Sequence, residues 1–231
     1  MSPATTLEGV YWGLIFAVAG LVIGWAASRV LGRTRRPAAV PIWWCAGGTA
    51  SLWAVVAWRW SADGMPGWWL PVPLVVTALA VPLALTDLRH RRLPDALTVP
   101  AYPLVGAAVC VAAAAGPEGA LAVRAASAAV LFAGVHALVH AVAPAALGAG
   151  DVKLSGSLGG ALGATGWPAL VVAACTAAVA TLVLAGAAAL LRVRRWRGGV
   201  PHGPGLLAVT CLITLFPGAG LEAGAEVTVG S

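Results

Sequence analysis

Several stretches of this chain run for close to ~20 residues with almost no charge, about what one helical crossing of a bilayer needs. That feature limits the fold more than any other, because a backbone in hydrocarbon must satisfy its own hydrogen bonds. The expected class is an all-α, polytopic transmembrane helix bundle. With 60% apolar and 10% charged residues and a mean hydropathy of +0.91, the chain leaves no room for a separate soluble domain. Residues 1–231 are read as one integral membrane domain.

The net charge of +6 does not point to nucleic acid, because the arginines cluster at the ends of apolar runs. There they act as topology signals, and the expected partner surface is the lipid bilayer. Cys45, Cys110, Cys175 and Cys211 each stand alone in an apolar segment with no CxxC pair. They are read as small buried residues, and no metal site is expected. Glu8 and the absence of a basic region before the first apolar run argue for a first transmembrane helix over a cleavable signal.

Eight spans are expected, at about 9–28, 41–58, 68–87, 96–115, 121–142, 150–163, 167–191 and 204–217. The sixth, fourteen residues from Gly150 to Gly163, is short for a crossing. The positive-inside rule decides in its favour. If 150–163 crosses, the clusters Arg29, Arg33, Arg35, Arg36 and Arg192, Arg194, Arg195, Arg197 fall on one side. Both termini then lie outside, and twelve of the fourteen basic residues lie inside, all but Arg59 and Arg124. Glu8, Asp63, Glu118, Glu222 and Glu226 lie outside. A short span must thin the bilayer or hide among neighbours. Ser155, Gly156, Ser157, Gly159, Gly160 and Gly163 are small enough for close helix contact. Trp12, Trp58, Trp60, Trp68, Trp69 and Trp167 fall at the outer interface, and Trp43, Trp44 and Trp196 near the inner one, as an aromatic belt.

The stretch Gly148-Ala149-Gly150-Asp151-Val152-Lys153-Leu154 sets an acid and a base two residues apart in this apolar setting. A charge costs roughly 2.5–3.5 kcal/mol at a helix centre on insertion scales, so Asp151 needs a reason. In the eight-span arrangement Asp151 starts the sixth span and Asp87 ends the third, both on the inner side. Two carboxylates from different helices then share depth and face. Such a pair can hold one proton between two carboxyls, because like charges a few ångströms apart cannot both ionise readily. The ionised member takes a proton from a water that attacks a peptide carbonyl, while the protonated member polarises that carbonyl.

A plainer reading stands beside this one. Asp87 closes a helix among arginines, paired with Arg89 or Arg91, and Asp151 is an N-terminal carboxylate favoured by the helix dipole. Asp95, after Pro94, is read as such a helix-start residue. Gly148 and Gly150 let backbone approach a substrate or a facing helix closely. Lys153 either orients Asp151, contacts substrate or snorkels to the interface. His136 and His140, four apart on one helix face, suit metal binding by spacing but lack an accompanying helix-borne Glu. Lining a cavity or hydrogen bonding within the bundle fits them better. His90 among arginines is read as solvated.

The segment Gly148 to Leu154 resembles the GxGDxKL form of the GxGD signature in prepilin (type IV leader) peptidases. Thr86-Asp87-Leu88 followed by Leu93-Pro94-Asp95-Ala96-Leu97-Thr98 is similar to that family's aspartate, short basic loop and I/L-P-D-x-L-T segment. Val200-Pro201-His202-Gly203-Pro204 resembles its P-F-G-P element, with His202 in place of the aromatic. Gly20-Leu21-Val22-Ile23-Gly24 with Ser28-Arg29-Val30 resembles its first helix.

The resemblance implies a membrane aspartic endopeptidase with Asp87 and Asp151 catalytic. Gly148, Gly150, Lys153, Pro94 and Asp95 would support the motif or bind substrate. The implied substrates are prepilin or pseudopilin precursors, cut after a basic leader at the cytoplasmic face of the plasma membrane, in type IV pilus assembly or protein secretion. Many members carry a cytoplasmic domain with paired CxxC motifs and also N-methylate the product. Here the loop from Arg29 to Val40 has about a dozen residues and no cysteine. A short, peptidase-only form is expected, with no cofactor and no S-adenosylmethionine site. The alternatives are a presenilin-like intramembrane protease, an ion-binding transporter using Asp151, and an assembly protein that keeps the motif without activity. The L-P-D-x-L-T loop and the P-x-G-P element speak against the first, and the lack of paired repeats against the second.

Overall fold

The computed structural model describes residues 3–34, 37–144, 147–192 and 201–218. Arg35, Arg36, Arg194, Arg195, Trp196, Arg197, Val200, Glu222 and Glu226 lie outside the described residues. Among the described residues the chain is all-helical. In order the helices are α1 (Pro3–Gly32), α2 (Ile42–Ser61), α3 (Pro71–His90), α4 (Asp95–Ala115), α5 (Leu121–Val142), α6 (Ala149–Thr165), α7 (Trp167–Leu190) and α8 (Gly203–Leu215). A single 3₁₀ turn, Gly67–Trp69, leads into α3. The eight expected segments are therefore all helices.

Five of them are long and apolar enough to cross a membrane: α1, α3 with its leading turn, α4, α5 and α7. The other three fall short for identifiable reasons. Helix α2 has five tryptophans, two glycines and Arg59 among its twenty residues, which lowers its hydropathy. Helices α6 and α8 have 17 and 13 residues, about 25 and 20 Å at 1.5 Å per residue. A hydrocarbon core is ~30 Å thick.

Helix α6 solves the shortfall by being enclosed. It packs against α3, α4, α5, α7 and α8, and every residue from Leu154 to Thr165 is buried. Its glycines permit this. A Cβ on Gly159 would stand 2.6 Å from Phe132 Cβ and 3.0 Å from the Ala128 carbonyl, and one on Gly163 would overlap Ala128 Cβ. The α5 and α6 backbones thus meet at a distance only small residues allow. The turn into α7 depends on Gly166, whose φ of 142° suits no other residue well. Helices α1 and α2 form a separate close pair, with Gly20 and Gly24 set against the α2 backbone at Ala50 and Cys45. This pair joins the rest mainly through α3, with Arg59 reaching α8.

The C-terminal carbonyls of a short helix would otherwise lie without partners at membrane depth. Arg124, from α5, donates from Nε to Gly163 O at 2.7 Å and from Nη2 to Ala164 O at 2.8 Å, and it also pairs with Glu118. Arg59, from α2, closes α8 in the same way. Its Nε donates to Leu215 O at 3.2 Å, its Nη2 donates to Gly64 O, and its guanidinium lies 4.5 Å from the Phe216 ring. Trp69 adds a third bond, from Nε1 to Thr214 O at 2.9 Å. Unlike an ordinary belt tryptophan, Trp69 is wholly buried. The two cations that broke the charge pattern in the sequence are the two that cap the short helices.

The bundle has two distinct ends. At one, Arg92 donates to Pro37 O and His90 Nε2 to Ala39 O at 2.9 Å, Lys153 meets Asp95, and Gly203 meets Asp87. His90 remains exposed but is held by this bond. At the other end, Trp68 packs beside Gly116, with the Arg59 and Arg124 caps nearby in the chain. Cysteine departs from expectation: Cys45 and Cys211 are buried, whereas Cys110 and Cys175 are exposed on the outer surface of the bundle. A thiol is apolar enough to face lipid, so hydropathy alone cannot say which way it points.

Arg124→Met removes two carbonyl partners and strands Glu118. It is expected to destabilise the protein by about 2–4 kcal/mol. Thermal unfolding of the purified protein should show a midpoint lowered by several degrees. Arg29→Met, which removes a cation stacked on Trp25, should change it much less.

Candidate active site

The end of the bundle that gathers the three inner turns also gathers the two acids. Asp87 occupies the last turn of α3. That helix closes with Arg91 in the left-handed conformation (φ 52°), and the Arg91 amide donates to Asp87 O at 2.8 Å. Arg91 is near enough for its charge to act on the Asp87 carboxylate. Asp151 is the third residue of α6, after the N-cap Gly148. Its amide donates to Gly148 O at 3.0 Å, and its carboxylate turns back to accept from the Gly148 amide. This is half of a capping box, with Asp in the third helical position.

The helix-start reading of Asp151 is therefore correct as far as it goes, but it accounts for one oxygen only. Asp151 Oδ2 lies on the Gly148 side, and Oδ1 points away across the bundle. Both carboxylates are enclosed, Asp87 at 6% and Asp151 at 8% exposure. Asp87 Oδ2 and Asp151 Oδ1 are the two buried side-chain oxygens that find no hydrogen-bond partner among the described residues. These same two atoms converge. A Cβ built on Gly203 would stand 2.7 Å from Asp87 Oδ2 and 3.1 Å from Asp151 Oδ1. The two oxygens thus lie within the sum of those distances of each other, and the Asp87 charge acts on the Asp151 carboxylate.

Gly203 completes the site. It is the first residue of α8, and its amide donates to the Asp87 carboxylate. Any side chain at 203 would occupy the space between the acids. Sequence reasoning placed Gly203 in a recognisable element without giving it a role. The signal was available in the proline that follows it, which starts a helix and leaves the glycine amide free to face the acids.

The remaining candidates divide. Gly150 packs against Leu93, where a Cβ would stand 3.1 Å from Leu93 Cβ, and Pro94 caps α4 with Asp95 as its first residue. Lys153 reaches Asp95, with Nζ and Oδ1 2.8 Å apart, so neither is simply a helix-start acid or a snorkelling base. His136 and His140 do not share a target. His136 Nδ1 donates to Phe132 O at 2.8 Å within its own helix, and His140 Nδ1 donates to Leu147 O at 2.7 Å. Both serve hydrogen bonding within the bundle. His202 donates from Nδ1 to Thr181 Oγ1 at 2.8 Å, tying the start of α8 to α7, and its ring lies 6.5 Å from that of His136.

The sequence pattern of the type IV leader peptidase family matches residues 74–186. Neither the curated proteins nor the solved structures yield a match. The matched region includes both aspartates, Lys153 and all of α4, α5 and α6. This match supports a protease of the prepilin type in a multi-pass, helical membrane protein. For such an enzyme Gly203→Ala should reduce proteolysis at least 100-fold, because the new methyl displaces a carboxylate and a misplacement of ~1 Å can cost about that much. Gly205→Ala, whose Cβ would meet nothing nearer than 3.4 Å, should retain activity in the same cleavage assay. Over residues 74–186, just under half of its length, this chain matches the type IV leader peptidase family.

Proposed function

We propose that this chain is an aspartic endopeptidase that removes the basic leader from type IV prepilin-like precursors at the cytoplasmic face of the plasma membrane, with Asp87 and Asp151 as its dyad. One observation carries the reading: the two buried carboxylate oxygens without partners, from different helices, converge on Gly203. A structural acid at a helix end has no need of a second acid facing it.

The chemistry follows from that pair. Two carboxyls this close hold one proton between them. The ionised member takes a proton from a water, whose oxygen attacks the scissile carbonyl. The protonated member donates to the carbonyl oxygen and so stabilises the tetrahedral intermediate. The proton taken from water is then delivered to the departing amine. The Gly203 amide, donating to Asp87, holds that carboxylate in place throughout. No metal or organic cofactor enters these steps, and methyl transfer forms no part of the proposal.

The distribution of charge supports the sidedness. Among the described residues Arg29, Arg33, Arg89, Arg91, Arg92 and Lys153 lie in the inner turns and helix ends that share the end of the bundle holding the site. Only Arg59 and Arg124 lie at the other end, and both are consumed as helix caps. By the positive-inside rule the site faces the cytoplasm. The leader of a precursor would be presented there, with its apolar helix still in the bilayer.

The test is cleavage of a leader-bearing pilin-like precursor by purified protein. Asp87→Asn and Asp151→Asn should each lower the rate by at least about 1000-fold, and the double variant should be no worse, because members of one catalytic unit are not additive. Near wild-type rates in both single variants would sink the assignment.

A further inference from the structure

Four contacts on the far side of α6 do not touch the dyad. Lys153 Nζ lies 2.8 Å from Asp95 Oδ1, in the first turn of α4. The Tyr102 hydroxyl, two turns further along α4, donates to Lys153 O at 2.6 Å. Gly156, one turn beyond Lys153, lies so close to that hydroxyl that any Cβ there would overlap it. Gly150, one turn before, lies against Leu93. Side chain, backbone and two glycines of α6 therefore all engage a single strip running from Leu93 to Tyr102.

This strip and Asp151 occupy different sides of the helix. Two residues along an α-helix rotate the side chain by about 200°, so Lys153 points nearly opposite to Asp151. Lys153 is exposed while Asp151 is buried toward Asp87 and Gly203. A grip on one side and a reacting group on the other makes the rotation of α6 about its axis the quantity that matters. With a side-chain tip about 5 Å from the axis, a 20° rotation carries it through about 1.7 Å. That is enough to separate Asp151 Oδ1 from its meeting point with Asp87 Oδ2.

The ion pair is poorly suited to another task. Its side chains are 53% and 65% exposed, and an exposed pair adds little to stability. Lys153 is also already engaged through both its ammonium and its carbonyl. We infer that Asp95, Lys153 and Tyr102 form a clasp between α4 and α6 that sets the rotation of α6, and that Lys153 and Asp95 are positioning residues for Asp151. In the clasp the Leu93-Pro94-Asp95 segment supplies one jaw, and the Gly148–Lys153 segment supplies the other together with the reacting group. This inference rests on the proposed proteolytic reading of the site.

The experiment is a double-mutant cycle in the precursor-cleavage assay. Lys153→Met and Asp95→Asn should each lower kcat about 2- to 5-fold, the most an exposed ion pair can bias an orientation, with KM unchanged and the thermal midpoint within a few degrees of wild type. The double variant should be no slower than either single, and Lys153→Arg should recover most of the rate. Additive losses, a rise in KM at constant kcat, or no loss would overturn the clasp. A second measurement is independent of activity. In a chain with its four native cysteines replaced, Asp87→Cys and Asp151→Cys should cross-link under oxidation, and Lys153→Met should slow that cross-link several-fold. An unchanged cross-linking rate would also overturn the clasp. A wild type that cuts no leader-bearing precursor overturns the proteolytic reading instead, and leaves the cross-link to decide the clasp.

Discussion

A helix too short to cross a bilayer unaided must be closed at both ends by its neighbours, and α6 is such a helix. Thirteen of its seventeen residues are buried, and five other helices pack around it. Its far end is held by the Arg124 guanidinium across two carbonyls. Its near end is held by its own N-cap and by contacts with α4. The glycines that bring α5 and α6 together also make the helix intrinsically weak, since glycine is a poor helix former. Enclosure compensates for that weakness, so the packing and the capping form one solution.

That solution determines where the chemistry can be. Although α6 begins at an exposed N-cap, its third residue Asp151 is buried, facing the end of α3 and the beginning of α8. Three helix termini meet there, and each contributes through its backbone position. The α3 end brings Asp87, the α6 start brings Asp151, and the α8 start brings an amide and an empty Cβ position at Gly203. Helix α8 is itself short and capped by Arg59 and Trp69. The same device, a cation or indole on the outer carbonyls, steadies both short helices whose inner ends form the site.

Much of this arrangement was legible in the order of residues. Hydropathy is a local sum, so the eight helices and their limits follow from it to within a few residues for most elements. Charge counting carried the reading further, since it set the 87–95 and 143–150 connections on one side and so placed Asp151 level with Asp87. The motif residues located both acids. The roles that the sequence left unassigned have a common cause. Arg59 and Arg124 looked like exceptions to a charge rule because their partners, the carbonyls of α8 and α6, are more than thirty residues away in the chain. Trp69 looked like a belt residue for the same reason.

The sequence by itself determined how many helices form, roughly where they begin and end, and that two acids reach one end of the bundle. These are properties of composition along the chain. Only the tertiary structure decided which oxygen of each acid faces the other, that Gly203 stands between them, that Cys110 and Cys175 point outward, and that Lys153 grips Asp95. These depend on the rotation of each helix about its own axis and on its contacts with distant segments. Neither is a local property, because a rotation of tens of degrees leaves hydropathy and charge count unchanged while moving side chains by ångströms.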